Sequence, residues 1–207
     1  MDDFIKTRFI LLRHGEPVGG KIFRGSTDDA LTEQGWQQLE KSVNGLTFDE
    51  IISSPLKRCS EFAFKLQQQK QCSLQIENNL QELHLGDWEG LTPAQVQSMD
   101  AKGLTEFWTQ PSQFTPPNAE PFIDFEQRIL SVWQDIQSHH VSTQKEKVIL
   151  VICHAGVMMV LLKNWLQIPV ENILNIKLNY ASKIHVDIFD DSHKLKPQIY
   201  IEHGYDF

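Results

Sequence analysis

The run Val148-Ile149-Leu150-Val151-Ile152-Cys153 is apolar at every position and then changes at once to His154-Ala155-Gly156. A strand with one wet face alternates apolar and polar residues. A strand without alternation is covered on both faces, as inner strands of parallel sheets are. Parallel strands need crossover connections, normally helices, so this one run commits the chain to a layered α/β fold. It is far too short to span a membrane. Arg8-Phe9-Ile10-Leu11-Leu12 repeats the pattern and ends at Arg13-His14-Gly15, a second buried strand feeding a tight turn.

The rest of the chain fits that frame. A loop over 19–29 precedes Thr32, which is placed to cap a helix running to about residue 45. Ile51-Ile52 is a short strand; Ser54-Pro55 then reads as the cap and first residue of a helix with Arg58 in its first turn. The polar tract 67–71 is expected to be a solvated helix end. Thr92-Pro93-Ala94-Gln95 has the capping-box pattern and predicts a helix to about residue 102. Prolines break the chain over 111–121. An amphipathic helix follows over 123–140, with Phe125, Ile129, Val132, Trp133 and Ile136 on one face. An apolar helix over 156–166 and closing strands over 184–189 and 198–201 complete the pattern. With 207 residues and 41% hydrophobic content, the expectation is a single domain over 1–207. It is a three-layer α/β/α fold around a mostly parallel sheet, with residues 84–121 as a small helix-and-loop cap insertion.

Charge narrows the function. Lys and Arg number 19 against 27 Asp and Glu, a net −8, which disfavours nucleic acid and anionic membrane surfaces as partners. A small anionic substrate needs a local positive site that works against this field. Met1-Asp2-Asp3-Phe4 lacks the basic-then-apolar order of a signal peptide. Cys59, Cys72 and Cys153 are scattered and form no CxxC, as expected of reduced thiols in a cytoplasmic protein. His84, His139, His140, His185, His193 and His203 are dispersed, so neither a metal nor an organic cofactor is expected.

Chemistry-bearing residues gather where strands end. Arg13-His14 follows the first strand, Arg58 lies just beyond the second, and His154 follows the long apolar run; Glu82 comes after the segment 74–77. Ligands bind at the carboxyl ends of strands in such sheets. Two guanidiniums suit phosphate oxygens, and helix N-termini near residues 55 and 156 would aim amides at the same place. A neutral imidazole attacking phosphorus gives a phosphohistidine, and a carboxyl group can protonate the leaving oxygen and then activate water. Glu82, Glu77, Glu89 and Glu16 are all candidates for that carboxyl group.

Leu12-Arg13-His14-Gly15-Glu16, Ser53-Ser54-Pro55-Leu56-x-Arg58, Leu80-x-Glu82 with Gly86-x-Trp88-Glu89-Gly90, and Cys153-His154-Ala155-Gly156 together resemble the histidine phosphatase superfamily, the phosphoglycerate mutase-like family. The motifs stand in that family's order and span most of the chain. The resemblance implies His14 as phosphorylated nucleophile, Arg13, Arg58 and His154 as phosphate clamp, and Glu82 as proton donor and acceptor. Gly20 stands where the mutase branch places an Asn, and the insertion before His154 is shorter than a mutase's; both departures favour transfer to water. Cys59 departs from the family's usual Ala but leaves Arg58 intact. Residues 16–20, 23–25, 28–32 and 116–121 most resemble the α-ribazole-5′-phosphate phosphatases of cobalamin biosynthesis. Glu16, Arg24 and Gly25 are then candidates for the leaving-group pocket, and the partner is a small phosphorylated metabolite. The alternatives are a broad small-molecule phosphatase, a mutase-type phosphotransferase, and a non-catalytic phospho-ligand-binding module. Homodimerisation is left open. Trp88 is expected to pack rather than to stack on substrate.

Overall fold

The computed structural model describes residues 6–141, 145–189 and 197–202. The N-terminal tetrapeptide, His193 and His203 lie outside the described residues. A six-stranded sheet has the order β3-β2-β4-β1-β5-β6, formed by β1 (Lys6–Arg13), β2 (Glu50–Ser53), β3 (Ser73–Ile76), β4 (Lys147–Cys153), β5 (Lys183–Phe189) and β6 (Gln198–Glu202). β1, β2, β3 and β4 run parallel, and the closing strands β5 and β6 are antiparallel to their neighbours. No helix among the described residues is long and apolar enough to cross a membrane.

The missing alternation has its cause in the two cores. Phe9, Leu11, Ile149, Val151 and Cys153 face α5 (Phe122–His140) and α6 (Ala155–Leu166). Ile10, Leu12, Leu150 and Ile152 face α1 (Glu33–Val43) and α2 (Lys57–Lys70) through Leu39, Val43, Phe62 and Leu66. Positions 9–12 of β1 and 149–153 of β4 are thus apolar because each is covered, at about 1.5–3 kcal/mol per buried large side chain. The expected stripe of α5 is buried in full.

Between β3 and α5 the chain forms α3 (Pro93–Met99) and α4 (Ala101–Thr109) around a separate small core of Phe23, Leu85, Trp88, Val96 and Leu104. Trp88 packs there against Phe23, Phe107 and Phe114. The capping box at Thr92 forms as its sequence indicates, but the single helix expected to residue 102 is two. Asp100 leaves the helical region and its carboxylate accepts from the Gly103 N–H, capping α4 instead. α2 likewise starts at Lys57, not Pro55. Its N-cap residue is Leu56, whose N–H donates to the Ser54 hydroxyl at 3.4 Å, and the same hydroxyl lies 2.7 Å from Nε2 of His154. A short helix, α7 (Val170–Ile173), precedes the loop to β5.

Candidate active site

Register brings the site together. Arg13 pairs with Cys153 and Ser53 with Ile152, so His14, Ser54 and His154 leave the sheet at one edge. The His14 and His154 rings are 5.3 Å apart, centroid to centroid, and both residues are buried with Arg58. Arg58 donates from Nε to Nδ1 of His154 at 3.3 Å, and from its terminal nitrogens to the carbonyls of Thr27 and Gly25, each at 2.7 Å. Arg13 donates to the Leu178 carbonyl and lies 4.4 Å from the centroid of the Tyr180 ring. Its Nε is buried and has no hydrogen-bond partner among the described residues. Neither guanidinium is ion-paired among those residues, whereas Arg8, Arg24 and Arg128 are held by Asp187, Asp29 and Glu120. A buried cation and a half-buried one, bonded to carbonyls and an imidazole and not ion-paired among the described residues, leave a strong local demand for an anion.

The protonation states follow from hydrogen bonds. A carbonyl only accepts, so the 2.7 Å contact of His14 Nδ1 with the Gly15 oxygen puts the proton on Nδ1 and leaves a lone pair on Nε2. Burial, reinforced by Arg13 and Arg58, holds the imidazole well below its ordinary pKa, so it is neutral and nucleophilic. Burial and Arg58 do the same to His154. Arg58 only donates, so His154 Nδ1 accepts and Nε2–H donates to Ser54.

Geometry separates the four glutamates. Glu82 accepts at 3.1 Å from the Gly156 N–H and at 3.1 Å from its neighbour Leu83 N–H, and burial pushes its carboxyl group upward in pKa despite these bonds. A raised carboxyl pKa suits a group that must give and then take a proton. Glu77 caps a short 3-10 turn, Glu16 lies near the Thr32 hydroxyl at 3.4 Å, and Glu89 is bound into the loop at 25–27. Burial pushes Glu89 upward, but hydrogen bonds from Thr27, Ser26 and Leu85 outweigh it and hold it below the usual carboxylate range.

Of the leaving-group candidates, Arg24 is paired with Asp29 at 2.7 Å and reaches the Val18 carbonyl at 2.5 Å. Gly25 contributes a carbonyl to Arg58. The helix amides expected to await a phosphate are taken by carboxylates of the chain: Lys57 N–H by Asp28, Gly156 N–H by Glu82. Sequence reasoning missed Ser54 as the partner of His154. It also missed Tyr180, whose ring is 5.7 Å from that of His14; its loop carries no motif that could have marked it.

Residues 9–198 match the Histidine phosphatase superfamily (branch 1), and the protein belongs to it. It is 28% identical over 175 residues to the glucosyl-3-phosphoglycerate phosphatase of Mycobacterium tuberculosis, covering 80% of this chain and 78% of that one. It is 27% identical over 192 residues to the adenosylcobalamin/alpha-ribazole phosphatase of Escherichia coli K12, covering 87% and 90%. Among solved structures, Bacillus stearothermophilus YhfR superposes with a TM-score of 0.83 at 26% identity, over 97% of this chain and 98% of that one. The fold is therefore phosphoglycerate mutase-like, and the Mycobacterium tuberculosis and Escherichia coli relatives are named phosphatases.

Proposed function

We propose that this protein hydrolyses a small phosphomonoester through a phosphohistidine on His14, without a metal, and that the substrate is α-ribazole 5′-phosphate. The observation that carries the reading is a buried guanidinium, Arg58, and a half-buried one, Arg13, neither ion-paired among the described residues, beside a neutral imidazole. Nε2 of His14 attacks phosphorus as the P–O bond to the alcohol breaks, and Glu82 delivers its proton to the departing oxygen. The resulting carboxylate takes a proton from water, whose oxygen displaces His14, releasing inorganic phosphate and restoring both groups. Arg13 and Arg58 form the cradle, with His154 behind it holding Arg58 through Nδ1, and the cations neutralise the charge that builds up in transfer.

Two observations support the substrate. The Escherichia coli relative aligns over 90% of its length. An apolar cavity lined by Phe107, Phe114, Phe125 and Met159 also includes Leu83 and Gly156, the residues whose N–H groups hold Glu82. That lining suits an aromatic base. The second reading, glucosyl-3-phosphoglycerate, has the similarity to the mycobacterial enzyme behind it. Its leaving group carries a carboxylate, however, and the flanking Arg24 and Arg128 are already paired.

The test is phosphate release across α-ribazole 5′-phosphate, glucosyl-3-phosphoglycerate, phosphoglycerates, sugar phosphates and phosphopeptides, with and without EDTA. Highest kcat/KM on α-ribazole 5′-phosphate, unchanged by EDTA, is expected. Preference for another ester replaces the substrate, and phosphoryl return to an alcohol makes the protein a transferase. Binding without turnover makes it a binding module, and loss restored by divalent metal refutes the charge-neutralisation argument.

A further inference from the structure

We infer that Glu89 is the positioning residue that aims Arg58, acting through the loop at 25–27. The inference rests on the phosphatase reading of Arg58 given above. The loop belongs to no helix or strand, yet its Gly25 and Thr27 carbonyls fix both terminal nitrogens of Arg58. What fixes the loop is one carboxylate. Glu89 Oε1 accepts from the Ser26 N–H at 2.8 Å, the Ser26 hydroxyl at 3.0 Å and the Leu85 N–H at 3.1 Å. Oε2 accepts from the Thr27 N–H at 2.6 Å and from the Thr27 hydroxyl. The amides of Ser26 and Thr27 face Glu89 on one side of the loop, and the flanking carbonyls face Arg58 on the other.

The approach is close enough to demand glycine at 25. A Cβ there would overlap the Leu83 carbonyl and come within 2.9 Å of the Leu85 nitrogen. Backbone bonds from Phe23 N–H to the Leu91 carbonyl and from Gly90 N–H to the Phe23 carbonyl join the same two segments. Phe23 then continues into the small core with Trp88. The segment carrying Glu89 and the loop holding Arg58 are thus one piece. Glu89, with its side chain 12% exposed, reaches Arg58 only through the loop and needs no contact with substrate to act.

A fork held by two carbonyls keeps its remaining N–H groups pointed at the phosphoryl oxygens. Glu89→Gln replaces one of the accepting oxygens by an amide donor facing donors, so the loop shifts and the fork loses its aim. The probes are inorganic phosphate and orthovanadate as competitive inhibitors, with kcat/KM for an alkyl and an aryl phosphate. Glu89→Gln is expected to weaken both inhibitors about tenfold or more. It should lower kcat/KM equally for the two esters, because the fault lies at the phosphate and not at the leaving group. In an Arg58→Lys background it should cost little further, since coupled residues are not additive. Thr27→Val, which removes only one donor to Glu89, should give a smaller loss of the same kind and serves if Glu89→Gln folds poorly. Unchanged inhibition and turnover in Glu89→Gln, or full additivity with Arg58→Lys, overturns the inference and leaves the phosphatase reading standing. A wild-type protein that neither hydrolyses esters nor binds phosphate or vanadate removes both.

Discussion

Gly156→Ala tests the role of Glu82 without touching Glu82. Gly156 is the second residue of α6, and its N–H donates to Glu82. A Cβ added there would overlap Oε1 of Glu82 and approach its Cδ to 3.2 Å and Phe125 Cζ to 3.3 Å. Phe125 is packed in the core, so the carboxylate must give way, by about 1 Å to reach ordinary contact. A displacement of that size can cost about 10²-fold, or about 2.7 kcal/mol of transition-state stabilisation. The backbone does not suffer, because alanine favours a helix over glycine by about 1 kcal/mol, offsetting part of the local strain. The expected signature is therefore activity lost with stability nearly kept. On an alkyl phosphate, whose leaving oxygen needs a proton, kcat/KM should fall about 10²-fold; on p-nitrophenyl phosphate it should fall only a few-fold. Steady-state kinetics on the two esters and a melting curve decide it. Equal losses on both esters, or alkyl turnover near the wild-type rate, would show that the proton comes from elsewhere.

Other perturbations probe the remaining parts. His14→Ala should abolish turnover and the acid-labile, base-stable label left by a phosphorylated substrate; a variant still labelled would remove His14 from its role. Stability should fall as pH drops below about 6.5. His14 and His154 are held neutral in the folded state with pKa values below the ordinary one, so the unfolded chain binds protons that the native one refuses. Their contribution is complete above the unfolded value and is lost toward the folded one, at about 1.4 kcal/mol per pH unit for each. Urea midpoints against pH should show a shallower slope in His14→Ala, and an unchanged slope would contradict the assignment. Arg128 bridges Glu120, at 2.8 and 2.9 Å, to the carbonyls of Asn79 and Gln81 just ahead of Glu82. Arg128→Lys, which cannot span them, should cost about 1–3 kcal/mol in the urea midpoint and slow alkyl esters more than aryl ones; equal rates on both would mean the bridge serves stability alone.

What could be read from the sequence depended on how near a residue stands to a strand end. His14 and His154 each follow a strand directly, so the apolar pattern that gives the strand also gives the residue's address. Arg58 is a helical turn further on and equally legible. Glu82 follows a short, mostly exposed strand and a 3-10 turn. Spacing along irregular chain does not say which way a carboxylate points, so the residues left four candidates and only the resemblance chose among them. Local rules also lost to distant partners. Ser54-Pro55 reads as a helix start, but α2 begins at Lys57, and the Ser54 hydroxyl serves both the Leu56 N–H and His154, a hundred positions away.

Charge shows the same limit from another side. A net −8 sets the long-range field against an anionic substrate, and no count of arginines reveals which of them offsets it. Pairing decides. Asp187 binds Arg8, Asp29 binds Arg24 and Glu120 binds Arg128, so those cations are spent within the fold. Arg13 and Arg58 are held by carbonyls and an imidazole, groups that orient a guanidinium without cancelling its charge. In a buried, poorly screened site that residual charge outweighs distant surface carboxylates, whose effect solvent and salt attenuate beyond about 10 Å. The anion affinity proposed for this site thus rests on which acceptors the two arginines were given, and placing a carboxylate at either of them should abolish phosphate inhibition while leaving the net charge almost unchanged.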